Sequence, residues 1–297
     1  MGGSVEGDLG PLSPEDLESS HRAVESTATV IEMGGALLVV DDILVRRRLS
    51  DTPMGAVWFL HAFADSGLAF SEVMDSQLDL QFDLYAPDFP GFGDSPLQRD
   101  RTSLDGASEV MIELVDSVSP ARELYLVAHS VASVVATRMA QHIGERVKGV
   151  FSIEGNLTAA DAYFTGQAVE YNTGEEFKIQ FLRQLHDLAA DDIALMRYFS
   201  AASIAHPDAL MGWGRSAVEL GDVAGDEFAA LKCPTLYYWS NADPPDYRRH
   251  FIDQAGLENR QYPGDSHWPM IDQPERCISD IAGFFTGLAG TQPAVVE

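Results

Sequence analysis

The sequence predicts an α/β fold in which a mostly parallel sheet carries helices on both faces and is interrupted by a helical insertion. From about residue 36 to 155, short β-branched and aromatic runs alternate with segments of helical periodicity, and this alternation resumes at 234. Strands that alternate with helices form parallel sheets, because each crossover returns the chain to the same end of the sheet. Between 157 and 225 the strand pattern disappears, and text rich in Ala, Leu and aromatic residues favours helices.

Each predicted strand of the first half is an apolar run bounded by Gly, Pro or Asp, and each predicted helix places its apolar residues on one side. The predicted strands cover 36–49, 56–63, 82–88, 123–130 and 147–155. The predicted helices cover 69–78, 103–118 and 131–143.

After the insertion, the strands PTLYYWS (234–240) and ENRQYPG (258–264) and the helices DYRRHFIDQAG (246–256) and ISDIAGFFTGLA (278–289) are predicted. The polar, Gly- and Pro-rich start favours a flexible N-terminal arm over 1–27, and 291–297 is expected to be a frayed tail. The core is therefore predicted over 28–156 and 226–290, with a helical cap over 157–225.

The charge balance restricts the classes of partner. The 297 residues include 46 Asp and Glu against 19 Lys and Arg, a formal net charge of −27 at pH 7, which disfavours nucleic acid and anionic membranes as partners. The N-terminus lacks the pattern of a secretory signal, and no apolar run approaches the roughly 18 residues of a membrane span. We expect a cytoplasmic protein, either a monomer or a homodimer.

The strongest local motif is LYLVAHSVASVVA (124–136), in which an apolar strand runs directly into a helix. Ser130 stands at the junction, between the small residues Ala128 and Ala132. Such a turn exposes a nucleophile, and the main-chain amide of Val131 at the helix start is placed to stabilise a developing anion. Taken alone, the motif is equally compatible with a serine that caps a structural helix.

Three further segments resemble the α/β-hydrolase superfamily in order and spacing. HAFADSG (61–67) looks like its oxyanion loop, DFPGFGDSP (88–96) like its Asp-x-Pro-Gly-x-Gly-x-Ser turn, and GDSHWPMIDQPE (264–275) like its histidine loop. The chain departs from the family pattern at Ala62, Ala128 and Ala132, where glycine is usual. The resemblance implies an eight-stranded, mostly parallel α/β-hydrolase sheet and a serine hydrolase of esterase or lactonase type.

The resemblance also assigns roles to residues. Ser130 would be the nucleophile, His267 the general base, and the amides of Phe63 and Val131 the oxyanion hole. Two carboxylates compete to orient the base. Glu154 ends a buried apolar strand, where an acid is costly without a partner, so it is slightly favoured over Asp243, which precedes two prolines.

The expected substrate is a small hydrophobic ester or lactone, cleaved through an acyl-enzyme. Tyr163, Phe164, Trp213 and Trp268 are expected to line an apolar pocket with few polar groups. Neither a cofactor nor a metal is expected, since no metal-ligand spacing occurs. Two alternatives stay open: a carbon–carbon bond hydrolase with the same triad, and a non-catalytic ligand-binding homologue. Enzymes of this fold with an aspartate nucleophile are disfavoured by Ser130.

Overall fold

The computed structural model describes residues 30–32, 36–189, 192–240, 246–264 and 266–289. The predicted N-terminal arm, the predicted tail and Asp243 lie outside these residues. The nine strands of the described chain form one sheet. They are β1 Val30–Glu32, β2 Leu37–Val40, β3 Ile43–Arg48, β4 Ala56–Leu60, β5 Asp83–Pro87, β6 Leu124–His129, β7 Val147–Ile153, β8 Thr235–Ser240 and β9 Asn259–Tyr262.

The helices flank this sheet or fill the insertion. The α-helices are α1 Ser71–Met74, α2 Leu104–Val118, α3 Ala132–Ile143, α4 Gly174–Ala189, α5 Ile193–Ile204, α6 Pro207–Leu220, α7 Ala224–Ala229, α8 Asp246–Ala255, α9 Pro269–Asp272 and α10 Pro274–Ala289. Short 3₁₀ helices cover Gly67–Phe70, Gln77–Leu80, Arg99–Arg101, Gly144–Arg146, Ala159–Ala162 and Thr165–Glu170.

The strand order is β1-β2-β3-β5-β4-β6-β7-β8-β9. Every pairing from β5 to β9 is parallel, and β1, β2, β3 and β5 pair antiparallel in succession. The predicted α/β-hydrolase fold with a mostly parallel sheet is therefore confirmed. The short edge strand β1 adds a ninth strand to the eight that were expected.

The segment 36–49, predicted as strand throughout, is a hairpin of β2 and β3. Its two turn residues, Asp41 and Asp42, both adopt positive φ, 46° and 67°. Two successive left-handed residues give the tight turn whose twist matches that of the flanking strands. Aspartate tolerates this backbone region because its short polar side chain can bond locally.

The centre of the sheet is the most buried part of the molecule. Every residue of β4, β5 and β6 is buried, as expected for strands covered on both faces. Because β4, β6, β7, β8 and β9 run parallel, the residues that follow their carboxyl ends meet at one edge of the sheet. In the described chain they include His61, Ser130, Glu154 and the loop that follows Tyr262.

Between β7 and β8, the described residues form helices and turns without strands, in agreement with the helices predicted for the insertion. Its aromatic side chains pack onto the loops at the carboxyl edge. The ring centroids of Phe181 and Phe63 lie 5.6 Å apart, and those of Tyr198 and Trp268 lie 4.9 Å apart. The insertion thus covers the edge where the candidate site lies.

Candidate active site

The turn between β6 and α3 holds Ser130 in a left-handed conformation. Its φ is +57°, a region that residues other than glycine rarely adopt. The main-chain amide of Ser130 donates to the carbonyl of Ile153 at 2.8 Å, which fixes the turn against β7. Ala128 and Ala132, on either side, are fully buried, so small side chains are needed there. This backbone strain at a strand-to-helix junction is the geometry of a nucleophile elbow.

The loop after β4 is anchored by His61. This buried imidazole donates from Nδ1 to the Ala62 carbonyl at 2.8 Å and accepts the Phe89 amide on Nε2 at 3.0 Å. Burial lowers the pKa of His61 to about 4, so the ring is neutral at pH 7. In the same loop Ala64 has a φ of +58°.

The two amides expected to form the oxyanion hole are uncommitted. Within the described residues, neither the Phe63 nor the Val131 amide donates to another group. Phe63 lines the same pocket as Ser130, and Val131 directly follows the serine at the start of α3. Both amides are thus free to bind a developing oxyanion.

His267 lies in the loop after β9, half-buried in the pocket that Ser130 also lines. Burial is the main cause that lowers its pKa below the ordinary value of 6.5, while the charge of Glu154 raises it. A base with this environment is neutral and able to accept a proton at pH 7.

Two neighbours hold the histidine loop. His129 Nε2 lies 2.8 Å from the main-chain carbonyl of His267, and since a carbonyl only accepts, Nε2 carries the proton. The indole of Trp268 donates to Asp65 Oδ2 at 3.3 Å. Burial raises the pKa of Asp65 to about 7, which makes its charge sensitive to pH near neutrality.

Of the two candidate acids, the described residues include only Glu154. It directly follows β7, has a φ of +49° and is 4% exposed. Its Oε1 accepts the Ser240 amide at 2.6 Å and lies 2.8 Å from the hydroxyl of Tyr262, and its Oε2 accepts Arg248 Nη1 at 3.0 Å. The hydrogen bonds in the described part of the chain include none between Glu154 and the imidazole of His267, and the Glu154 charge raises the pKa of that ring.

The cavity beside Ser130 is small, with a volume of about 30 Å³. Three of the four predicted pocket residues, Tyr163, Phe164 and Trp268, line it. Trp213 does not: it is 1% exposed and packs with ring centroids 4.9 Å from both Phe89 and Phe92. The bulky indole of Trp213 instead packs α6 of the insertion against the core.

The pocket is lined by more polar residues than expected. Besides Ser130, His267 and Glu154, it is lined by the polar residues Asn156, Asp161, Thr165 and Arg248. Arg248 was missed because its position in an ordinary amphipathic helix, α8, gives no functional signal. Asp161 had a local structural signal in the sequence, because Thr158-x-x-Asp161 is the pattern of a capping box at a helix start. The structure contains this capping box.

Two negative findings concern ions and membranes. The described residues contain no group of three or more His, Cys, Asp or Glu side chains that could hold a metal ion. Among the helices of the described chain, none has the length and apolar character needed to cross a bilayer.

Comparison with solved structures shows the same fold at low identity. An esterase from Thermogutta terrifontis, solved with malate bound, is 16% identical with a TM-score of 0.68, over 88% of this chain and 99% of that one. A variant of the N-acyl homoserine lactonase AidH in complex with N-hexanoyl homoserine lactone is 15% identical with a TM-score of 0.68, over 89% and 99%. The epoxide hydrolase CorEH is 17% identical with a TM-score of 0.63, over 88% and 99%.

The sequence comparisons complete this result. None of the curated proteins matches the sequence. The model of the alpha/beta hydrolase family matches residues 59–280, a stretch that contains the oxyanion loop, the elbow and the histidine loop. The chain belongs to the alpha/beta hydrolase family.

Proposed function

We propose that this chain is a serine hydrolase that cleaves an ester or lactone bond of a small molecule through an acyl-enzyme. The observation that carries the proposal is the strained Ser130, with its φ of +57°, in one pocket with the neutral base His267. Strain of this kind persists only where the surrounding structure imposes it, and it is typical of sites under functional constraint.

In the proposed reaction, Ser130 Oγ attacks the carbonyl carbon while a ring nitrogen of His267 takes the hydroxyl proton. The Phe63 and Val131 amides stabilise the tetrahedral oxyanion. Collapse of this intermediate breaks the bond to the leaving oxygen, which receives the proton from His267. Water then attacks the acyl-serine with His267 again as base, releasing the acid and restoring Ser130.

We propose Glu154 as the acid, and its buried charge, which raises the pKa of His267, supports this choice. In the proposal it stabilises the imidazolium that forms during attack. Asp243 is the alternative acid, and the matched variants Glu154→Gln and Asp243→Asn separate the two.

Three alternatives differ from the proposed reaction in the nucleophile, in the bond that is cleaved or in the lack of catalysis. An aspartate nucleophile, as some enzymes of this fold use, has no place at an elbow occupied by Ser130. Carbon–carbon bond cleavage by the same groups and ligand binding without catalysis are the remaining alternatives, and the second predicts an unreactive serine.

The test is labelling of the full chain with a fluorophosphonate, which forms a covalent adduct only with an activated serine, read by intact mass. We expect one adduct on the wild type, none on Ser130→Ala and at least tenfold slower labelling of His267→Ala. The exposed Ser203→Ala and His186→Gln variants are the matched controls and should label like the wild type. A wild-type chain that stays unlabelled under conditions that label a known esterase would overturn the proposal.

A further inference from the structure

One side of the pocket is polar and charged, and of its groups only Glu154 takes part in the proposed bond cleavage. Arg248 stands at its centre, with only 7% of its surface exposed. Its Nε and Nη2 donate to Asp161 Oδ1 at 2.9 and 2.5 Å, and its Nη1 donates to Glu154 Oε2 at 3.0 Å. One cation is thus bonded to two buried carboxylates.

The carboxylates have few free acceptor positions. Asp161 Oδ2 also accepts the amides of Leu157 and Thr158, both at 2.9 Å. Both oxygens of Glu154 are bonded as well. Both carboxylates are therefore bonded within the fold, and neither is available to bind a cationic ligand.

The charge of the cluster formed by Arg248, Asp161 and Glu154 disfavours the binding of an anion. Two carboxylates against one guanidinium leave a net charge of −1 in a place largely shielded from water. A carboxylate of a substrate would bring a third negative charge to a single cation, and electrostatic repulsion is strong where the dielectric constant is low.

The same surface nevertheless offers unused hydrogen-bonding groups. A guanidinium has five N–H groups, and the three bonds of Arg248 within the described chain leave two of them. Thr165 Oγ1, in the pocket wall, is buried and has no hydrogen-bond partner in the described chain. The Asn156 side-chain amide, also in the wall, makes no hydrogen bond with the described residues.

A buried hydroxyl without a partner costs free energy unless a ligand supplies the missing bond. Thr165 is 5% exposed and lines the pocket, so a molecule bound there can supply this partner. An uncharged oxygen, as in an amide or ketone carbonyl, can accept from Arg248 and Thr165 without adding a charge.

We propose that the substrate carries an uncharged polar group, such as an amide or ketone carbonyl, that binds Arg248, Thr165 and Asn156, and that this side of the pocket rejects carboxylates. This inference rests on the proposed ester or lactone hydrolysis at Ser130. It adds the substrate class. The acyl or alcohol part of the substrate carries a neutral hydrogen-bonding group and is neither purely apolar nor anionic.

The test compares three 4-nitrophenyl esters at pH 7.5 with the full chain. They are the esters of adipamic acid, of adipic acid and of heptanoic acid, which carry a primary amide, a carboxylate and an ethyl group at the same position. A second series places the same three end groups on the alcohol side of hexanoate esters. In one of the two series we expect kcat/KM of the amide ester to exceed that of the carboxylate ester at least tenfold and that of the apolar ester about fivefold.

Variants locate this selectivity. Thr165→Val keeps the shape and removes the unpartnered hydroxyl, so we expect the amide-to-apolar ratio of kcat/KM to fall about fivefold. Ser152→Ala is the matched control, since Ser152 Oγ is also buried without a partner in the described chain but does not line this pocket. Its ratio should equal that of the wild type.

The outcomes separate this inference from the proposed function. Equal rates for amide and carboxylate esters in both series, with Ser130 labelled by the fluorophosphonate, would overturn the inference and leave the hydrolase standing. An unlabelled Ser130 with no turnover of any ester would overturn both. An unchanged ratio in Thr165→Val would also contradict the assignment of the polar group to this side of the pocket.

Discussion

His129 and His267, neighbours of the candidate nucleophile and the candidate base, are joined directly: the Nε2 proton of His129 is donated to the main-chain carbonyl of His267 at 2.8 Å. Their ring centroids lie 4.8 Å apart. The residue before Ser130 therefore holds the loop that carries the base. A small displacement of a catalytic group is expensive, so this bond ties the elbow to the histidine loop in the geometry that proton transfer requires.

The bond predicts a positioning role for His129. Replacing it by leucine removes the donor, and we expect kcat to fall about tenfold with little change in KM. His129→Gln retains a donor and should recover part of the loss. The measurement is steady-state hydrolysis of a 4-nitrophenyl ester, with circular dichroism to verify folding. Equal kcat values for leucine and glutamine variants would contradict the role.

The charge of Glu154 predicts the pH dependence of activity. Burial lowers the pKa of His267 below 6.5, so kcat/KM of the wild type should decline only when the pH falls below that value. Because the Glu154 charge raises this pKa, Glu154→Gln should move the acid limb to lower pH and reduce kcat at least a hundredfold.

Asp243→Asn is the matched comparison for this experiment, and its kcat should stay within tenfold of the wild type if Glu154 is the acid. The reverse ranking of the two variants would assign the role to Asp243. pH–rate profiles of kcat/KM from pH 4.5 to 8 measure both effects.

The left-handed backbone of Ser130 predicts a gain in stability when function is removed. Glycine adopts a φ near +57° without the penalty that a side chain incurs. We expect Ser130→Gly to have a free energy of unfolding about 1 kcal/mol larger than that of Ser130→Ala, which lacks the hydroxyl but keeps the strain. Urea unfolding of the two variants measures the difference, and equal midpoints would show that the turn stores no strain.

Asp65 predicts a pH-dependent cost of folding. Burial raises its pKa from an ordinary 3.8 to about 7. In this range the unfolded chain releases the proton that the folded chain retains, so the stability contributed by Asp65 is present at low pH and is lost as the pH rises toward 7.

Asp65→Asn is neutral at every pH and should gain about 3 kcal/mol relative to the wild type between pH 5 and pH 8. The difference in free energy of unfolding between the two chains, measured in urea at several pH values, tests this. A difference that stays constant with pH would contradict the shifted pKa.

The sequence by itself determined the fold class and the positions of most elements. Predicted strand 123–130 and helix 131–143 match β6 and α3 to within one or two residues, since apolar periodicity and flanking small residues are local signals. The same local pattern marked Ser130, and the Gly-rich loop after the last predicted strand marked His267. Both line one pocket because parallel strands bring their carboxyl ends to a common edge.

Only the tertiary structure decided what surrounds these groups. Arg248 and Glu154 are 94 residues apart in the chain and become partners when α8 packs against the end of β7. Trp213 is the opposite case, a residue predicted in the pocket that lies elsewhere. Its aromatic side chain would suit an apolar pocket, but it packs against Phe89 and Phe92. The polarity of a pocket depends on which side chains from distant segments come into contact. Periodicity along the chain carries no information on such long-range contacts.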